Sequence, residues 1–155
     1  MSVEVACFLD TNVLVYAVSS APSEQAKKRI ALELVDREDF GLSAQVLQEF
    51  YVTAIRKIAT PISPDQALAL IDELRRFPLV PTDYPLIVSG IECALRHGIS
   101  YWDGAIVAAA ERLGAAILFT EDLSHRQLYG TVRAVNPFLD DPVAAVVQEP
   151  ERPYG

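Results

Sequence analysis

The chain has 155 residues, of which 51% are hydrophobic, 22% charged and 8% aromatic. That is one domain's worth of protein, long enough to bury a core without a disulfide or metal staple and too apolar to be disordered throughout. The formal net charge is −8, from 13 Lys and Arg against 21 Asp and Glu, which at first sight argues against a polyanionic partner.

The opening residues MSVEVACFLD have neither a basic start nor a long apolar run, so no secretory signal is read there. No stretch reaches the roughly 18–20 apolar residues of a membrane span, and the expected compartment is the cytoplasm. Residues 3–9, β-branched and apolar, predict a strand buried in a parallel sheet and ending at Asp10. A helix-like TNVLVYAV follows and stops near Ser19 to Pro22. Ser23 is expected to cap a helix over 24–38, with Ala26, Ile30, Leu34 and Val35 on its inner face. Residues 41–43 read as a strand end feeding a helix over 44–58. That helix turns Val46, Leu47, Phe50, Ala54 and Ile58 inward and keeps Gln45, Glu49, Thr53 and Arg56 on its polar side.

Pro61 and Pro64 punctuate the approach to a helix over 65–76, and PLVPTDY is a strand-like link. Helices over 84–97 and 101–113 close on Gly98 and Gly114. AAILFT at 115–120 predicts a second buried strand, ending at Glu121 and Asp122, and TVRAVNP at 131–137 a last short one. Strands alternating with helices imply an α/β fold, a three-layer α/β/α sandwich around a short parallel central sheet. The domain is read as 1–139. Residues 140–155, with three prolines, four acids and one Arg, read as a loosely ordered acidic tail. Cys7 and Cys93 stand in apolar contexts without metal-ligand spacing and read as reduced, buried thiols.

In an open parallel sheet, ligands bind outside the carboxyl ends of the strands. Asp10 and Asp122 each follow a strand at that edge, Glu49 lies in the helix after the second strand, and Asp103 opens the helix before AAILFT. Each also has a structural reading. Asp10 and Asp122 suit a helix N-cap, Asp103 mimics a capping box with Ser100, and Glu49 suits a solvated helix face near Thr53 or Arg56. Jointly, four carboxylates at one edge repel one another unless a cation sits between them. Hard oxygen donors without His or Cys suit Mg²⁺ or Mn²⁺, and such a set serves phosphoryl chemistry.

The segments FLDTNVLVYA, SAQVLQEFYV, SYWDGAIVAAA and FTEDLSHRQLYGTVRAVNPF, in this order over about residues 4–138, resemble the PIN-domain family. Within it they are most similar to the VapC-type toxins of toxin–antitoxin pairs. The resemblance implies a Mg²⁺- or Mn²⁺-dependent endoribonuclease that hydrolyses RNA phosphodiesters through a metal-activated water and leaves a 5′-phosphate. It maps the catalytic, metal-binding acids onto Asp10, Glu49, Asp103 and Asp122, with Asn12 and Thr120 in support. It further implies a cognate antitoxin partner and a homodimer, and exposed apolar surface on the helices between Ser23 and Arg76 is the natural place for the antitoxin. A housekeeping PIN nuclease in RNA processing, or a non-catalytic PIN interaction module, is the alternative. The chain departs from the family pattern at Arg126, where relatives often carry glycine.

His97 reads as a partner of a helix C-terminus, His125 as a solvated loop residue, and Tyr101 and Trp102 as packing residues. Lys27-Lys28-Arg29 and Arg75-Arg76 read as solvated helix faces, with RNA contact second. The charge also divides. Asp140, Asp141, Glu149 and Glu151 against Arg152 give the tail −3, and with the four candidate acids set aside the rest holds 13 acids against 12 bases. A near-neutral body removes the objection to RNA.

Overall fold

The computed structural model describes residues 5–139, so the expected tail over 140–155 lies outside the described residues. In chain order the elements are β1 (Cys7–Leu9), α1 (Thr11–Ala17), a 3₁₀ turn (Pro22–Glu24), α2 (Gln25–Asp36), β2 (Phe40–Ser43), α3 (Ala44–Arg56), α4 (Pro64–Leu74), β3 (Leu79–Val80), α5 (Tyr84–His97), α6 (Tyr101–Arg112), β4 (Ile117–Phe119), β5 (Leu128–Tyr129) and β6 (Val132–Val135). The strands form one sheet in the order β3-β2-β1-β4-β6-β5. All neighbours are parallel except β5 and β6.

This order explains the layers. The chain steps from β1 to β2 to β3 in one direction, then returns across the sheet to β4. Right-handed crossovers therefore set α1–α4 on one face and α5–α6 on the other. The contacts agree: α1 packs on α2 and α3, α3 on α4, and α5 on α6, which lies across β2, β4 and β6. The core is filled by Phe8, Leu9, Phe40, Leu42, Phe50, Leu118, Phe119 and Tyr129, all fully buried. The direction of winding reverses between β1 and β4, which makes their carboxyl ends the switch point of the sheet.

Helix starts follow local chemistry. Ser43 caps α3, Ser63 forms a capping box with Gln66 on α4, Asp83 caps α5 and Ser100 caps α6. Ser23 does not cap α2. It lies inside the 3₁₀ turn, and Ser19 anchors that turn by donating from Oγ to Glu24 Oε1 at 2.6 Å. Ala26 faces solvent, while Ala31 and Leu34 carry the inner face of α2. The fold also adds β5, a two-residue strand too short to leave a periodic pattern, which turns back on β6 at Gly130 (φ 62°).

The departure at Arg126 concerns the backbone. Arg126 has φ 70°, the left-handed region that glycine enters at no steric cost. The loop thus keeps the conformation glycine favours, although an Arg stands there, and its amide is tied to Ala134 O at 2.7 Å. Where α5 crosses α6, Gly90 and Gly104 face each other. A Cβ on Gly104 would stand 2.5 Å from Gly90 O and 2.9 Å from Ala94 Cβ. Small residues let these helices touch, which fixes where the first turn of α6 meets the sheet edge.

Candidate functional site

Asp10 follows β1 directly and is 5% exposed. Its Oδ1 accepts from the Thr11 amide at 2.7 Å, the expected cap of α1, and its Oδ2 accepts from Thr120 Oγ1 at 2.7 Å. Thr120 is fully buried at the end of β4, and its hydroxyl also accepts from the Asp122 amide at 3.0 Å. Asn12 Nδ2 donates to Asp122 Oδ2 at 3.1 Å. No helix follows Asp122 (the chain enters a loop leading to β5), so the capping reading of that residue is set aside.

Glu49 enters from α3. Its Oε2 accepts from Thr11 Oγ1 at 2.8 Å and its Oε1 from Gln45 Nε2 at 3.0 Å. Gln45 Nε2 also reaches Trp102 O at 3.1 Å, the residue before Asp103 in α6. Gln45 was expected on the polar side of its helix, yet it is 9% exposed. The helical period put it outside, whereas α6, more than fifty residues away in sequence, covers it.

The four acids act on one another. Burial pushes the Asp10 carboxyl up to about 7, opposed by the hydrogen bonds from Thr120 and Thr11 and reinforced by the charges of Asp122 and Glu49. Asp103 is raised by burial and by Glu49, against its bond to Ser100. Asp122 is raised by burial, relieved by Asn12 and raised again by Asp103, Glu121 and Glu49. Strand ends, helix starts and one mid-helix turn have thus been drawn into a single electrostatic set.

This set fits a hard divalent cation. It offers carboxylate oxygens without imidazole or thiolate. Asn12 Oδ1 is buried beside it with no hydrogen-bond partner. Among the described residues, no three His, Cys, Asp or Glu side chains form a ready-made metal cage. The carboxylates of Asp10, Glu49 and Asp122 are instead bonded to Thr11, Thr120, Gln45 and Asn12, and each carboxylate oxygen keeps lone pairs for a cation.

Sequence reasoning passed over Thr11, Gln45 and a rim cluster beside Asp122. Lys27, expected on a solvated face, bonds to Tyr16 Oη at 3.0 Å and Glu121 Oε2 at 3.2 Å, and its Nζ lies 4.7 Å from the Tyr16 ring centroid. Tyr16 Oη donates to Glu121 Oε1 at 2.8 Å. The i, i+4 spacing of Asn12 and Tyr16 on α1 was the signal available for this. His125 Nδ1 accepts from the Asn136 amide at 3.0 Å, bracing the loop. His97 packs its ring edge-on to Tyr129, and Trp102 is 63% exposed with its ring against Tyr101.

Four acids at the switch point of a mostly parallel sheet, with helices on both faces, define a class of α/β/α domain whose site is built from strand ends. Within it, a family profile for the PIN domain matches residues 7–130. The chain belongs to the PIN domain family. No curated protein matches it in sequence.

Solved structures share the fold. VapC20 of Mycobacterium tuberculosis, a Sarcin-Ricin loop cleaving toxin, superposes with a TM-score of 0.61 at 20% identity, covering 82% of this chain and 98% of its own. A toxin–antitoxin complex from Klebsiella pneumoniae gives 0.62 at 17% identity, covering 84% and 97%. The DNA-bound VapBC of Salmonella typhimurium gives 0.56 at 19%, covering 84% and 96%.

Proposed function

We propose that this protein is a Mg²⁺- or Mn²⁺-dependent endoribonuclease, the toxin of a type II toxin–antitoxin pair. The observation that carries the reading is the mutual repulsion of Asp10, Glu49, Asp103 and Asp122 at one sheet edge, with Asp10 buried and its carboxyl pushed up to about 7. Such an arrangement is costly to a fold and is relieved by a cation. Membership of the PIN family and the likeness to toxin structures support the choice of RNA and of a toxin.

In this reading the four carboxylates hold the cation, while Thr120 and Asn12 fix the orientation of Asp10 and Asp122. When bound, the ion supplies a more acidic water and neutralises charge that develops on the phosphate. Water would add to phosphorus as the bond to the 3′ oxygen breaks, a proton of that water passing to the leaving 3′ oxygen, so that a 3′-hydroxyl and a 5′-phosphate remain. Asp103→Asn is expected to keep the fold and abolish Mn²⁺-dependent RNA cleavage, because Asp103 is half-buried at the site and is not part of the hydrophobic core. Unchanged cleavage by the folded mutant would overturn the assignment. Growth arrest on induction, relieved by co-expressing a small neighbouring gene product, would separate a toxin from a housekeeping nuclease.

Two surfaces support the partners. A groove of about 160 Å³ among α1, α2, α3 and α4, lined by Leu14, Val18, Leu32, Val35, Phe50 and Leu70, suits an apolar segment of an antitoxin. The helix α5 is apolar on both sides. Leu86, Cys93 and Ala94 face the core, while Tyr84, Ile87, Ile91 and Leu95 form an exposed stripe at helical spacing. We assign that stripe to a second copy of the chain. Leu95→Glu, at a residue 80% exposed, is expected to turn the dimer into a monomer on light-scattering chromatography. A mass unchanged from a dimeric wild type would count against this seam.

A further inference from the structure

We propose that Gln45 is a positioning residue, tying the Glu49 carboxylate to the Asp103-bearing end of α6 and so pre-shaping the acidic site for its divalent cation. This rests on the reading of Asp10, Glu49, Asp103 and Asp122 as the cation's ligands.

Gln45 stands four residues before Glu49 on α3, so the two side chains share a face. Its amide nitrogen lies 3.0 Å from Glu49 Oε1 and 3.1 Å from Trp102 O. Both neighbours are acceptors, a carboxylate and a backbone carbonyl. Only the NH₂ end of the amide can satisfy them, and both of its hydrogens are used. The chemistry of the neighbours therefore fixes which way the amide points. Burial makes the arrangement exacting, since a buried carbonyl or carboxylate that loses its donor bears the full cost of desolvation.

The bonds of Thr11, Thr120 and Asn12 join the acids of β1, α3 and the β4 edge. The Gln45 bond brings α6 into the same network across 57 residues of sequence. Glu49 and Asp103 repel each other, and they sit on helices from opposite faces of the sheet. A donor that holds the Glu49 carboxylate and the first turn of α6 together opposes that repulsion while the site is empty. A glutamine suits this place because it is neutral. A lysine would reach the same acceptors but add a charge that competes with the cation.

The test uses two variants and a readout that needs no RNA. Gln45→Met keeps the shape of the side chain and removes both donors, while Gln45→Asn keeps the amide on a shorter arm. Mn²⁺ binding to the RNA-free protein, followed by calorimetry, is expected to weaken about 10–100-fold in each, the usual effect of losing a partner that orients a ligand. Melting in EDTA is expected to fall for Gln45→Met, which leaves two buried acceptors without their donor, and its RNA cleavage should recover as Mn²⁺ is raised. A glutamine that serves packing alone would shift the melt and leave Mn²⁺ affinity at the wild-type value. That result would overturn the inference while leaving the four-acid site standing. A wild-type protein that binds no Mn²⁺ would overturn both. Should Gln45→Met fail to fold, Gln45→Asn carries the same comparison.

Discussion

Asp10 caps α1 and belongs to the acidic set at once, so the two readings of that residue are not alternatives. Its cap bond is local, whereas burial and the neighbouring charges come from the fold. In the unfolded chain its carboxyl titrates near 3.8, and in the folded one burial pushes it up to about 7. Between these values the folded protein holds a proton that the unfolded chain has lost. Metal-free stability should therefore fall as pH rises from about 4 to about 7. Asp10→Asn is expected to flatten that slope in melts run in EDTA, and an unchanged slope would show that Asp10 is not the group responsible. At the same scale, Asp122 shows where residue type alone misleads. The amino acid suits a cap, but its chain continues into a loop.

Among the elements, α6 decides the most. Its residues Gly104 to Ala110 are all buried, so it is covered on every side and has little freedom to shift. The crossing with α5 depends on Gly90 and Gly104, because any side chain at Gly104 meets the backbone of its neighbour. Gly104→Ala is expected to cost roughly 1–3 kcal/mol in urea denaturation, the range for overpacking a close contact. It should also weaken Mn²⁺ binding, since Asp103 is the adjacent residue. A fully stable Gly104→Ala protein would mean that the helices part without penalty. Glycine closures at Gly98 and Gly114 were legible in the sequence, and both adopt the left-handed conformation the stop signal requires. The span of α5 was legible because Gly98 marks its end, and Asp83 caps its start in the structure. The start of α2 was not, since Ser23 offers the right side chain in a turn already held by Ser19.

For the whole molecule, net charge gives way to charge placement. Of the −8, −3 lies in residues 140–155, and the four acids at the sheet edge account for much of the rest. A body near neutral offers RNA little general attraction, so substrate binding should depend strongly on a divalent ion and only weakly on salt. Chelation with EDTA is expected to lower RNA affinity sharply at constant ionic strength. Equal affinity with and without Mg²⁺ would contradict this. No helix among the described residues is long and apolar enough to cross a membrane. On the proposed reading, the exposed stripe of α5 and the groove over α1–α4 serve protein partners.

The sequence by itself determined the alternation of strands and helices, the sandwich this implies, and the position of three acids at the ends of elements and a fourth within a helix. These are local matters: side-chain period, caps and glycine stops act within a few residues of where they are read. Tertiary structure alone decided that Gln45 is buried, that Lys27 is paired with Glu121, and that Leu128 and Tyr129 form a strand. It also decided that only one side of α5 is covered. Each of these depends on what arrives from far along the chain, and no helical or strand period records which neighbour that will be.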